Sequence, residues 1–216
     1  MEAEQWSEEG LRASIPKARG QVNIVAQFFE IGPSRPDWDS HRPVVELLFY
    51  LCRLDYDIKV LLLQFLTDAD NRAVWEPLLA LEVYEALETL PKAINRARIE
   101  LSKPTTASKL DVQVFDEASK EYRAAAKLIR DDKEFMKGLT IIRNGVAAHH
   151  GLNKGKGMDA SIAWAMSTWR LSRTELTPLN SQIGEYAVKL GLAIQNFAIR
   201  VEQGEQQARS TSTTAG

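Results

Sequence analysis

Arg143, Asn144, His149 and His150 stand close together in GLTIIRNGVAAHHGL, residues 138–152. The chain has 3 histidines, and two of them are adjacent here, so proton transfer near neutral pH is to be sought in this segment. A guanidinium holds a phosphate through two parallel hydrogen bonds and balances charge developing on it. An imidazole takes a proton from a ribose 2′-OH or returns one to a 5′-oxygen leaving group. The Asn144 amide can orient the phosphate or the imidazole. This set suits phosphodiester cleavage by the adjacent 2′-OH. That reaction leaves a cyclic phosphate and calls for no metal and no cofactor.

The spacing decides how these groups share a helix. The local apolar face is Phe135, Leu139, Ile142 and Val146. At about 100° per residue, Arg143 lies about 60° to one side of that face and His149 about 60° to the other. His150 falls near Arg143, because seven residues make nearly two turns. Another reading of the same residues stays open. Asn144-Gly145 is a hairpin signal, which would make TIIRNGVAA two short strands. Independently of that, a surface ion pair of Arg143 with Asp132 or Glu134 is a plainer role for it. The histidines also suit a helix C-terminus, with Gly151 as its cap. The lack of other strand signals nearby favours the helix.

Arg143-Asn144, then four residues, then His149, late in a long helix of an all-α protein, resembles the HEPN superfamily. Ala148 directly before His149 is most similar to its abortive-infection-type branch. The motif covers residues 143–149. The resemblance implies a metal-independent endoribonuclease, a toxin or phage-defence effector. It implies RNA as partner and a homodimer in which two motifs face each other. Arg143 would hold the scissile phosphate, His149 would be general acid and base, Asn144 would orient, and His150 is a second candidate imidazole. An antitoxin or regulatory protein that covers the site fits the same picture. Other members have lost catalysis, so the alternative is a silent helical module that binds a nucleotide or a protein.

Lys154 and Lys156 follow the histidines in GLNKGKG, where glycine lets a backbone approach an anion, so both are candidate RNA contacts. The glycine spacing is not that of a P-loop. Lys120, Arg123, Lys127, Arg130 and Lys137 repeat opposite the apolar face, the pattern of a solvated surface or, alternatively, of an RNA track. Asp37, Asp39 and His41 alternate in a proline-rich loop without a fourth ligand, so no metal site is expected there. Trp164 and Trp169 could stack on bases, though core or dimer packing suits them better. Asp55 and Asp57 would reach the site only if their helix packs on the motif helix; a solvated pair is the plainer reading. Cys52 reads as a core thiol.

These residues need elements to hold them. A helix from Pro43 to about Thr67 is expected from Leu47, Leu48, Leu51, Leu54, Ile58, Leu61, Leu62 and Phe65, with Ser40 as a cap. Asp70 or Asn71 would cap the next helix, which Pro77 and Pro91 break or kink. Residues 110–150 read as one long helix or two joined ones, and 179–203 as the last. Residues 21–31 fit either a helical face or strand alternation, and 158–177 resist assignment. The fold class is therefore all-α, a bundle of about four or five main helices, HEPN-like. It would be a single helical domain over 1–203, with an N-terminal extension over about 1–40 and a disordered tail over 204–216.

Composition fits this picture. The chain has 216 residues, 44% of them hydrophobic and 26% charged, which excludes a disordered chain, a collagen and a disulfide scaffold. Lys plus Arg is 27 and Asp plus Glu is 29, giving a net charge of −2, so nucleic acid would be held by a local patch. One cysteine suits a reducing cytoplasm. The acidic start MEAEQWSEEG lacks the apolar core of a signal peptide, and no stretch suits a membrane span, so a cytoplasmic protein with no membrane partner is expected.

Overall fold

Ser7 starts the first helix. Its hydroxyl accepts the Gly10 N–H at 3.2 Å, and Glu8 and Glu9 complement the positive end of the helix dipole. The computed structural model describes residues 5–36, 38–103, 111–148 and 178–213. Among these residues the secondary structure is helical, with no strand. In chain order the helices are α1 (Glu8–Ile31), α2 (Trp38–Thr67), α3 (Arg72–Glu88), α4 (Leu90–Leu101), α5 (Val112–Arg130), α6 (Lys133–Ala148) and α7 (Pro178–Thr213). The all-α bundle is as expected, and its elements are more finely divided.

α2 is the centre, packing against α1, α3, α4 and α7. Leu47, Leu51, Leu54, Ile58 and Leu62, recurring at three and four residues, are all buried. Each such side chain contributes about 1.5–3 kcal/mol on burial. α5 packs on α7, where Phe197 meets Phe115 and Tyr122 at ring distances of 5.6 and 6.3 Å. α6 lies mainly on α3.

Several boundaries differ from the expected ones, each for a local reason. The supposed N-terminal extension is α1, whose Leu11 and Ala18 are buried, and Trp6 before it is buried as well. The segment 21–31 is thus helical, with Phe29 edge-on to Phe49 of α2 and to Trp38. α2 begins at Trp38 rather than Pro43, because a proline in an early turn breaks little. Asp68, not Asp70 or Asn71, supplies the side-chain cap before α3; its carboxylate accepts from the Asn71 backbone and from Trp75 Nε1.

α3 and α4 are separate because Pro91 has no N–H for the Leu87 carbonyl. The Arg130 guanidinium donates to that carbonyl instead, and the Tyr122 hydroxyl donates to the carbonyl of Ala86. The stretch 110–150 divides at Asp132, which caps α6 by accepting the Phe135 N–H at 3.0 Å. The same carboxylate accepts the Tyr186 hydroxyl at 2.9 Å, tying α6 to α7. α7 continues to Thr213, where a disordered tail was expected, since GEQQARSTST has only Gly204 as a weak breaker. Among the described residues, no helix is long and apolar enough to cross a membrane.

Candidate active site

α6 holds the first half of the motif. It runs unbroken through Asn144 and Gly145 to Ala148, which removes the hairpin reading. Phe135, Leu139 and Ile142 are buried, so the expected apolar stripe does face inward. Arg143, the next residue, is exposed. Its guanidinium carbon lies 5.6 Å from the ring centroid of Tyr84, a half-buried residue of α3. An aromatic face under a guanidinium attracts the cation and limits its orientations. Asn144 is helical in backbone; its side chain lies outside the described residues, as do His149, His150, Lys154, Lys156, Trp164 and Trp169.

Tyr84 is the residue the sequence reading missed. Finding it required knowing that α3 packs on α6, and nothing in the local spacing says so.

The basic repeat on α5 and α6 is the solvated face expected of it: Lys120, Arg123, Lys127 and Lys137 are exposed, and only Arg130 is half-buried. Arg123 donates to Ser119 Oγ at 3.1 Å and to Asn95 Oδ1 at 2.6 Å, Lys127 pairs with Asp131 at 2.5 Å, and Arg130 caps the end of α3. Among the described residues, no cluster of His, Cys, Asp and Glu could hold a metal; Asp37 lies outside them.

Asp55 and Asp57 also depart from the solvated pair expected of them. Asp57 pairs with Arg53 at 3.0 Å. Asp55 is buried, 2.7 Å from Lys59 Nζ, and accepts from Gln195 Nε2 of α7 at 2.9 Å. Burial pushes the Asp55 carboxyl up despite the attraction of Lys59 and the Gln195 hydrogen bond. Lys59 is buried too, its ammonium 5.7 Å from the Trp6 ring.

This pair forms part of the floor of a cleft of about 920 Å³ between α1, α2 and α7. Cys52 lines the cleft and is half-buried. Burial, then Asp55 and Glu202, push its thiol up to about 11, so it stays protonated at neutral pH and is a poor nucleophile. No family model, no curated protein and no solved structure matches the chain.

Proposed function

We propose that the chain is a metal-independent endoribonuclease of HEPN type, acting as a toxin or phage-defence effector. The observation that carries this reading is the exposed Arg143 on an unbroken α6, above the Tyr84 ring, beside the buried stripe of Phe135, Leu139 and Ile142. His149 follows α6 directly in the chain. Arg143 binds the scissile phosphate. His149 removes the ribose 2′-OH proton, the 2′-oxygen attacks phosphorus, and the bond to the 5′-oxygen breaks. The leaving oxygen takes a proton from imidazolium. The products are a 2′,3′-cyclic phosphate and a 5′-OH. Asn144 orients the phosphate or the imidazole, His150 is the alternative base, and Lys154 and Lys156 hold the flanking backbone. A second copy facing Arg143 and a regulatory protein covering it belong to the same proposal.

The test is RNA cleavage by the purified chain in EDTA. The wild type is expected to leave cyclic phosphate ends. Arg143→Ala and His149→Ala should each lower the rate by at least about a hundredfold, the usual loss on removing a charge-stabilising or acid–base group. Intact RNA across varied sequences and structures, with the protein folded, sinks the catalytic reading and favours a silent module that binds a nucleotide or a protein.

A further inference from the structure

Polar side chains join into one hydrogen-bonded run in the cleft between α1, α2 and α7. Gln5 Nε2 donates to Gln195 Oε1 at 3.3 Å, and Gln195 Nε2 donates to Asp55 Oδ1 at 2.9 Å. Lys59 Nζ donates to Asp55 Oδ2 at 2.7 Å. Gln5, Asp55, Lys59 and Gln195 all line the cleft. An ammonium carries three N–H donors, and among the described residues Lys59 uses one of them. The Trp6 ring, 5.7 Å away, attracts the charge without being an ordinary acceptor. Lys59 is only 4% exposed, so water has little access to the donors that are left. Buried donors call for an acceptor, and the chain supplies no second one here.

Apolar side chains line the same cleft. Leu48 and Leu51 come from α2, Ile24 and Phe28 from α1, and Ile199 from α7. Ile24, Phe28 and Ile199 are 58%, 50% and 50% exposed, so an apolar wall stands open beside the buried polar run. The volume of about 920 Å³ falls in the range of small-molecule sites, about 300–1,000 Å³. Such sites also share this combination of apolar wall and few convergent polar groups. The charged residues of the lining cancel, Lys17 and Lys59 against Asp55 and Glu202. A charged ligand would set an uncompensated ion beside the buried pair, whereas an uncharged acceptor would not.

We propose that this cleft binds an uncharged small molecule with an apolar body and a carbonyl head. The carbonyl oxygen accepts from Lys59 Nζ, and the body lies along Ile24, Phe28 and Ile199. Cys52 lines the same cleft, so the bound molecule shields its thiol. The site does not rest on the ribonuclease reading, since Arg143 lies on α6 against α3.

Prodan, a neutral aminonaphthyl ketone whose emission moves to the blue on leaving water, tests the proposal in the full chain. It is expected to bind more tightly than about 100 µM, as its size allows. At saturation it should slow alkylation of Cys52, the single cysteine of the chain, by N-ethylmaleimide at least about fivefold, because access limits that reaction. The matching dimethylaminonaphthoate, with a carboxylate in place of the ketone, should bind at least about tenfold more weakly. Ile24→Asp with Phe28→Asp changes exposed positions and should weaken prodan at least about tenfold. Asp55→Asn with Lys59→Met strands no charge, keeps an acceptor for Gln195, and should weaken it about tenfold. Circular dichroism confirms the fold of each variant, and the exposed pair keeps the test decisive if the buried pair does not fold. No binding up to about 100 µM overturns the proposal, since a ligand of this size in a matched site binds below that. Binding that leaves Cys52 alkylation unchanged overturns it too, as does a carboxylate that binds as tightly as the ketone, or either folded variant with undiminished binding. A wild type that sediments as a dimer, and as a monomer in Ile24→Asp with Phe28→Asp, assigns the cleft to a second copy and likewise overturns it.

Discussion

Glu76 shows how a single residue sets the pH range of this bundle. Glu76 is buried, and burial pushes its carboxyl from the ordinary 4.5 up to about 7, against the attraction of Arg72. The folded state therefore binds this proton more tightly than the unfolded chain does. By linkage, stability is highest below the ordinary carboxylate range and falls as pH rises toward about 7. Asp55 and Glu82 are also pushed up by burial and act in the same sense. The urea midpoint is expected to be lower at pH 8 than at pH 5, and Glu76→Gln should flatten that slope without removing it. An unchanged slope in Glu76→Gln would mean that Glu76 is not the group that titrates. Lys59 is held by an ion pair with Asp55 and lies near an indole face. Removing one member of such a buried pair costs about 3–5 kcal/mol, mostly because the other charge is stranded.

On α7, the Trp6 indole lies directly against Gly191. A methyl group at position 191 would overlap the ring, so the backbone must be bare there. Gly191→Ala is expected to displace Trp6 and cost about 1–3 kcal/mol, the usual range for overpacking a core. Denaturant titration reads the loss, and red-shifted tryptophan emission that Trp6→Phe abolishes reads the displacement. Unaltered emission and stability would remove Trp6 from this contact. Neither Trp6 nor Gly191 drew notice in the sequence, because their pairing joins opposite ends of the chain. The inward stripe of α2 was legible, since Leu47 to Leu62 keep the helical period by themselves. So was the stripe of α6, and with it the placing of Arg143 just outside the buried face. The α3–α4 corner was only half legible. Pro91 announced a break, but Arg130 and Tyr122, which satisfy the freed carbonyls, come from another helix. The burial of Asp55 with Lys59 was not legible, because their partners Gln195 and Trp6 lie far away in sequence.

For the whole molecule, the net charge of −2 leaves little long-range pull on RNA. Much of the positive charge of α5 is spent on internal bonds through Arg123, Lys127 and Arg130. On the proposed ribonuclease reading, affinity for RNA would come from few phosphate contacts, chiefly Arg143 with Lys154 and Lys156. The logarithm of RNA affinity is expected to fall with the logarithm of salt concentration with a slope no steeper than about −2, as about three contacts to a single strand imply. A much steeper slope would require a wide basic surface instead. The Trp6 contact also bears on how the chain is made. Its indole is covered by a glycine that a ribosome reaches much later, and Asp55 waits equally for Gln195. At about 5–20 residues per second, the delay is roughly ten to forty seconds. Throughout synthesis of the intervening helices, the buried face of α2 stands open on its α7 side. The central helix is thus sealed on this side only when α7 emerges, and any chain stopped before α7 leaves it uncovered for chaperones and proteases to find.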